Sequence, residues 1–142
     1  MLARLKLLFG LTASADENSG ARGEAAAAEF LNREYAFTIV ARNWRNPRDL
    51  REEIDLVARD GEVLVFVEVK TRAAGALVSG FHSVNARKKA VLRRAATAYL
   101  RTLERPPVTF RLDVVEVTFT ASGAAEVRHF ANVRLFPKQF QP

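Results

Sequence analysis

The stretch "LVFVEVKTR", Leu64 to Arg72, places an acid and a base two residues apart at the end of an apolar run: Glu68 and Lys70. Side chains alternate across a strand, so these two project from one face. Upstream, "EIDLVAR" carries Asp55 and "RGEAAAAEFL" carries Glu24. Carboxylates held close together repel unless a cation or strong donors lie between them. Hard carboxylate oxygens suit Mg²⁺ or Mn²⁺, ions that keep several waters for chemistry. A lysine beside them can position an attacking water, or offset the negative charge that builds on a phosphate in the transition state. Each part also has a plainer use. An acid and a lysine at i, i+2 can be an ion pair at a strand end, and Glu24 suits the dipole of a helix N-terminus.

The elements that must position these residues follow from turn chemistry and periodicity. Asp60-Gly61 is a strong hairpin signal between "EIDLVAR" and "EVLVFVEVK". As a two-residue turn it sets Arg59 opposite Glu62, Asp55 opposite Phe66 and Glu53 opposite Glu68, with Asp55 and Glu68 diagonal neighbours roughly 7–8 Å apart. Ile54, Leu56, Ala58, Val63, Val65, Val67 and Val69 then make an apolar face opposite the acids. A helix is expected from about Gly23 to Tyr35, with Glu24 on the stripe of Ala28, Leu31 and Tyr35. "FTIVARNW" reads as a strand and "RNPRDLRE", with Pro47, as a loop. Residues 73–83 read as a mobile loop. A second helix runs from Val84 to about Glu104 and stops before Pro106-Pro107. "VTFRLDVVEVTF" and "EVRHFANV" supply two more strands around Ser122-Gly123. The fold class is α/β: a mixed central sheet of about five strands flanked by helices.

The 142 residues suit one domain, placed at 21–136, between a flexible N-terminal segment (1–20) and a C-terminal tail (137–142). There is no cysteine, which excludes disulfides, thiolate nucleophiles and sulfur-bound zinc. The opening "MLARLKLLFGLTASA" imitates a secretory signal poorly, because Lys6 splits its apolar run. No stretch approaches the roughly 20 apolar residues of a membrane span, and the expected location is the cytoplasm.

Twenty-two Lys and Arg against sixteen Asp and Glu give a formal charge of +6, which favours a polyanion partner. From Val84 to Arg105 there are seven basic residues and one acid. Arg87, Lys88, Lys89, Arg93 and Arg94 on this helix, with Arg42 and Arg72 nearer the acids, are the expected nucleic-acid contacts. They would position a phosphate backbone without reading bases. DNA is the expected partner, and charge alone does not separate it from RNA. His82 and His129 have no ligand-spaced partner and read as structural; Trp44 and Tyr99 read as packing residues.

Read in order, "RGEAAAAEFL", "ARNWR", "EIDLVARDGEVLVFVEVKTR", "SVNARKKAVLRRAATAYL", "RLDVVEV" and "HFANV" resemble the PD-(D/E)XK nuclease superfamily. The resemblance is closer still to its bacterial YraN-like family, related to archaeal Holliday-junction resolvases. It implies a restriction-endonuclease-like sheet and a metal-dependent endonuclease acting on DNA, with branched or structured DNA as the candidate substrate. Carried over by position, Asp55 and Glu68 would be metal ligands, Lys70 the catalytic lysine and Glu24 the helix-borne acid that joins them. Family members often have glycine where this chain has Glu52. The family also suggests a homodimer. The competing reading is a nucleic-acid-binding module that acts with a partner and does not cut.

Overall fold

The computed structural model describes residues 3–8, 19–73, 84–138 and 140, with the backbone alone for 3–8. The elements run β1 (Ala3–Leu8), α1 (Ser19–Tyr35), β2 (Thr38–Asn46), β3 (Asp49–Asp60), β4 (Val63–Ala73), α2 (Ala86–Thr102), β5 (Phe110–Phe119) and β6 (Ala125–Val133). Among the described residues the sheet has six strands in the order β1-β6-β5-β4-β3-β2. The β4–β5 pair is parallel and every other pair is antiparallel. A parallel pair needs a crossover, and α2 provides it.

The α/β architecture agrees with the sequence reading, with one more strand than expected. Part of the segment assigned to a flexible lead-in is that strand: Ala3–Leu8 pairs antiparallel with Ala125–Phe130. The polar stretch around Pro47 is a tight hairpin instead of a loop, with Asn46 paired to Asp49 across the turn. The Asn46 carboxamide oxygen accepts the Arg48 N–H at 3.1 Å, the usual way asparagine closes a turn. The expected loop at 73–83 lies, apart from Ala73, outside the described residues, as does His82. At the other end, Phe140, assigned to a tail, packs on Phe136 at 4.4 Å between ring centroids and on Phe110 at 6.1 Å. The gain from burying aromatic surface draws that residue onto the domain.

Both faces of the sheet are core, a correction to the single buried face inferred from alternation. Against α1 lie Leu56, Ala58, Val65, Val67, Val115 and Val117, packed on Ala27, Phe30 and Leu31. Against α2 lie Ile54, Val57, Leu64, Phe66 and Val114, packed on Leu92, Ala95, Ala96 and Leu100. A central strand covered on both sides reads as a continuous apolar run, which is why "VLVFV" shows no alternation. Ile54 joins the α2 side while Leu56 joins the α1 side, so strict alternation fails in β3 just where Asp55 sits. Trp44 and Tyr99 pack edge-to-face at 5.3 Å, the packing role expected of them.

The two helices are anchored differently. Asn85 caps α2, its side-chain oxygen accepting the Lys88 N–H at 2.9 Å, and this fixes the start two residues later than Val84. In α1, Gly23 is buried inside the helix instead of opening it. A Cβ at that position would overlap the Thr71 side chain of β4, so glycine is what lets α1 approach the strand. Gly23→Ala is expected to cost about 1–3 kcal/mol in a thermal or urea melt. Thr71→Ala in the same chain should recover part of the loss, and a melt unchanged by Gly23→Ala would refute this close approach.

Candidate active site

The β3–β4 hairpin turns at Gly61-Glu62, one residue later than expected, because Gly61 takes the left-handed conformation (φ 57°) inside the turn. Asp60 is therefore the last paired residue, opposite Val63, and the register moves by two. A shift of two keeps every side chain on its face but changes its partner. Asp55 is now in line with Glu68 and not with Phe66. Glu53, expected opposite Glu68, instead pairs with Arg45 of β2 and accepts its Nε–H at 3.1 Å.

The ladder between β3 and β4 runs from Asp60↔Val63 only to Leu56↔Val67. Beyond that point β3 stays with β2 as far as Asn46↔Asp49, and β4 stays with β5 as far as Ala73↔Phe119. The sheet forks, and the fork holds the acids. The Asp55 carboxylate accepts the Val69 N–H at 2.8 Å, taking the place of the backbone acceptor that the fork removes. Glu68, 2% exposed, lies on the other prong. Burial, joined by the nearby Glu68 carboxylate, pushes the Asp55 carboxyl up to about 7; the Val69 N–H opposes the rise, Glu24 adds to it and Lys88 counters it.

Two lysines converge on one oxygen of Glu68: Lys70 Nζ lies 3.2 Å from Oε1 and Lys88 Nζ 3.3 Å from it. The second oxygen, Oε2, is buried and makes no hydrogen bond among the described residues. A buried carboxylate oxygen without a donor costs on the order of 1–3 kcal/mol unless something else satisfies it. That unused lone pair, beside a second carboxyl whose ionisation is opposed by burial and by Glu68, is chemistry suited to a hard divalent cation. Glu24 is half-buried, and its Oε2 accepts from Asn43 Nδ2 at 2.7 Å; the same nitrogen lies 3.2 Å from Glu53 Oε1. Among the described residues no three acids or histidines gather closely enough to form a cation nest. The structure thus brings Asp55, Glu68 and Lys70 together, while Glu24 reaches them through its field on Asp55.

The site has two residues that spacing did not assign to it. Lys88, read as one of the helix's phosphate contacts, is turned onto Glu68; its place in the first turn of α2 was legible, but not which strand faced it. Asn43 sits at φ 48°, a conformation asparagine tolerates, beside the bulges of β2. Of the other basic residues, Arg42 and Arg87 are exposed and Lys89 is half-buried. Arg72 is half-buried, with Nε and Nη2 making no hydrogen bond among the described residues. Arg93 Nε donates to the Leu135 carbonyl at 3.1 Å, and Arg94 Nε to Glu52 at 2.8 Å.

A carboxyl raised to about 7 has a stability consequence with a definite sign. The preference for neutral Asp55 stabilises the metal-free fold fully below the unfolded value near 4, and this contribution is lost as pH rises through about 7. Melts of the metal-free protein should therefore weaken between about pH 4 and 8. Asp55→Asn should remove that decline and gain roughly 1–3 kcal/mol at pH 8. Parallel pH curves for the two proteins would contradict it.

Away from the fork, a second buried network fixes β5 to its neighbours. Asp113, fully buried, accepts from Arg111 Nε at 2.8 Å and the Asn132 N–H at 2.9 Å, and its Oδ2 is 2.8 Å from His129 Nε2. Arg111 also reaches Asp60 at 3.1 Å. Burial raises the Asp113 carboxyl, but the hydrogen bonds from His129, Arg111 and Asn132 outweigh it and hold the group below the ordinary range. His129 lies among the rings of Phe30, Tyr35 and Phe37, which is the structural role expected of it. No helix among the described residues is long and apolar enough to cross a membrane.

Comparison with known proteins places this arrangement in a family. The model described as "Uncharacterised protein family UPF0102" matches residues 23–117, a span that contains Glu24, Asp55, Glu68 and Lys70. The chain is similar to a UPF0102 protein of Beutenbergia cavernae, 46% identical over 114 residues, covering 80% of this chain and 93% of the relative. A UPF0102 protein of Symbiobacterium thermophilum is 44% identical over 113 residues, covering 80% and 92%. One from Streptomyces coelicolor is 39% identical over 132 residues, covering 89% of this chain and 99% of its own. With a match over most of the domain and relatives aligned over nearly their whole length, the chain belongs to the UPF0102, or YraN-like, family.

Proposed function

We propose that this protein is a metal-dependent endonuclease that hydrolyses phosphodiester bonds in DNA, with Mg²⁺ or Mn²⁺ held by Asp55 and Glu68. The observation that carries the reading is the fork between β3 and β4. There two carboxylates share a buried space, one Glu68 oxygen lacks a donor among the described residues, and two lysines stand on the other. A bound divalent cation supplies an activated water and neutralises charge on the scissile phosphate. Asp55, oriented by the Val69 N–H, and Glu68, fixed by its lysines, are the ligands. Two carboxylates are enough for an ion that keeps most of its waters, and Glu24 adds negative charge near Asp55. Lys70, 24% exposed, sits where its ammonium can meet either the attacking water or a phosphate oxygen. Lys88 neutralises Glu68 and can transfer its hydrogen bonds to the phosphate when a cation occupies that carboxylate.

A second reading has its own observation in favour: no trio of acids gathers among the described residues, and Glu68 already has two ammonium partners. On that reading the protein binds nucleic acid and does not cut. Purified protein, assayed on four-way junction, flap, single-stranded and linear duplex DNA with Mg²⁺ or Mn²⁺, separates the two. Cleavage that needs the metal and is lost in Lys70→Ala supports the nuclease; tight binding without cleavage on every substrate supports the module.

A further inference from the structure

We propose that the cavity between α2 and the β2–β3 turn is a second phosphate-binding site, which grips the DNA backbone several nucleotides from the phosphate at Glu68. The inference rests on the reading of DNA as the ligand. It does not require that the DNA be cut.

The cavity is about 540 Å³ and is walled by Arg48 of the turn and by Arg93, Arg94 and Arg101 of α2. Its one acid among the described residues is Glu52, 7% exposed and already satisfied: Arg94 Nε donates to one oxygen at 2.8 Å and Asn46 Nδ2 to the other at 2.9 Å. Glu52 and Arg94 neutralise each other. Arg48, Arg93 and Arg101 then remain, none with a salt bridge among the described residues. Arg93 is not loose, because its Nε–H is tied to the Leu135 carbonyl at 3.1 Å. A guanidinium anchored by one N–H keeps its remaining donors for a ligand. Guanidiniums spread over the walls of a cavity suit a run of phosphates better than one small anion, and arginine is the side chain that binds phosphate by paired donors.

Helix geometry relates this cavity to the fork. At 1.5 Å per residue, Arg94 and Arg101 lie about 9 and 20 Å along α2 from Lys88, which stands on Glu68. Phosphates advance roughly 3.4 Å per nucleotide along a duplex axis, so a duplex whose axis follows α2 would reach the cavity about three to six nucleotides from Lys88. One helix therefore serves both places: its first turn faces the acids and its later turns face the backbone.

The test is DNA affinity measured by fluorescence anisotropy in EDTA, where cutting cannot contribute. Three proteins are compared: the unaltered chain, Arg48→Glu with Arg101→Glu, and a control of equal charge change, Arg33→Glu with Arg128→Glu. Both control positions are exposed. The cavity variant should lose at least about tenfold in affinity and flatten the salt dependence by close to two phosphate contacts, while the control loses less than about threefold. Equal losses in the two variants, or none in the cavity variant, would overturn the proposal. Arg48→Lys with Arg101→Lys keeps the charge but loses the paired donors, so its affinity should fall between those of the unaltered chain and the glutamate variant; a loss as large as that of the glutamate variant would count against the site. Failure of the nuclease reading looks different: the unaltered chain would show this affinity pattern and still cut nothing in Mg²⁺.

Discussion

Replacing Glu68 by alanine or glutamine is expected to lower metal-dependent DNA cleavage by at least about a thousandfold while the protein stays folded. Removal of a group that binds charge developing in the transition state costs on the order of 10²–10³ by itself. On the proposed reading Glu68 is asked for more, since it would also hold the cation, and its carboxylate keeps Lys70 and Lys88 in place. Stability should respond far less. In the metal-free protein Glu68 raises the neighbouring Asp55 and leaves one of its own oxygens without a donor among the described residues, so its loss relieves two unfavourable interactions. The lysines it leaves behind are 24% and 35% exposed and can turn toward water. Cleavage assays and thermal melts on the same preparations give the answer. A fall in melting temperature as large as that of a core deletion would make Glu68 a structural residue.

The opposite result is expected at Asp113. Its carboxylate is fully buried among Arg111, His129 and the Asn132 N–H, and it ties β5 to β6 and, through Arg111, to the β3–β4 turn. Asp113→Ala leaves a guanidinium, 20% exposed, without its nearest carboxylate, and leaves an imidazole and a backbone N–H without an acceptor. Breaking a buried ionic network in this way costs about 3–5 kcal/mol, enough to lower Tm by roughly 10 °C. The pH sign is that of a depressed carboxyl: the stabilisation is present above the ordinary value near 4 and is lost as pH falls through the lower folded value. Acid melts should converge for the two proteins, whereas at pH 7 they should stand far apart. A difference that persists unchanged in acid would assign the effect to packing alone.

Much of this was legible in the residues themselves. Glu68 and Lys70 at i, i+2 placed both on one face; the glycine after Asp60 demanded a hairpin; the alanine-rich and basic stretches gave the two helices; and Asp55 and Glu68 were brought together. What was not legible depended on contacts between distant segments. A turn that begins one residue later changes every partner without changing any face, and no local signal separates the two registers. The second core face was hidden because Phe66 and Val57 alternate with acids, and only the docking of α2 shows that side to be dry. Asp113 lies in "RLDVVEV", where a buried acid looks like an exposed position until Arg111, His129 and Asn132 close on it. Ala3–Leu8 pairs along the edge of β6; its Ala-Arg-Leu-Lys-Leu alternation suits a strand, but nothing in so short a segment says which edge it joins. Lys88 shows the same limit at the site, since seven basic residues of one stretch looked alike until the fold chose one for Glu68.

The central claim is that Asp55 and Glu68 hold one divalent cation between them, and calorimetric titration of Mn²⁺ into the purified protein tests it most directly. The unaltered chain should bind the ion with release of protons at pH 7, because a carboxyl raised to about 7 must ionise to become a ligand. Asp55→Ala and Glu68→Ala should each abolish that binding. Titrations that show no heat beyond dilution for the unaltered chain, or the same binding for all three proteins, would contradict it.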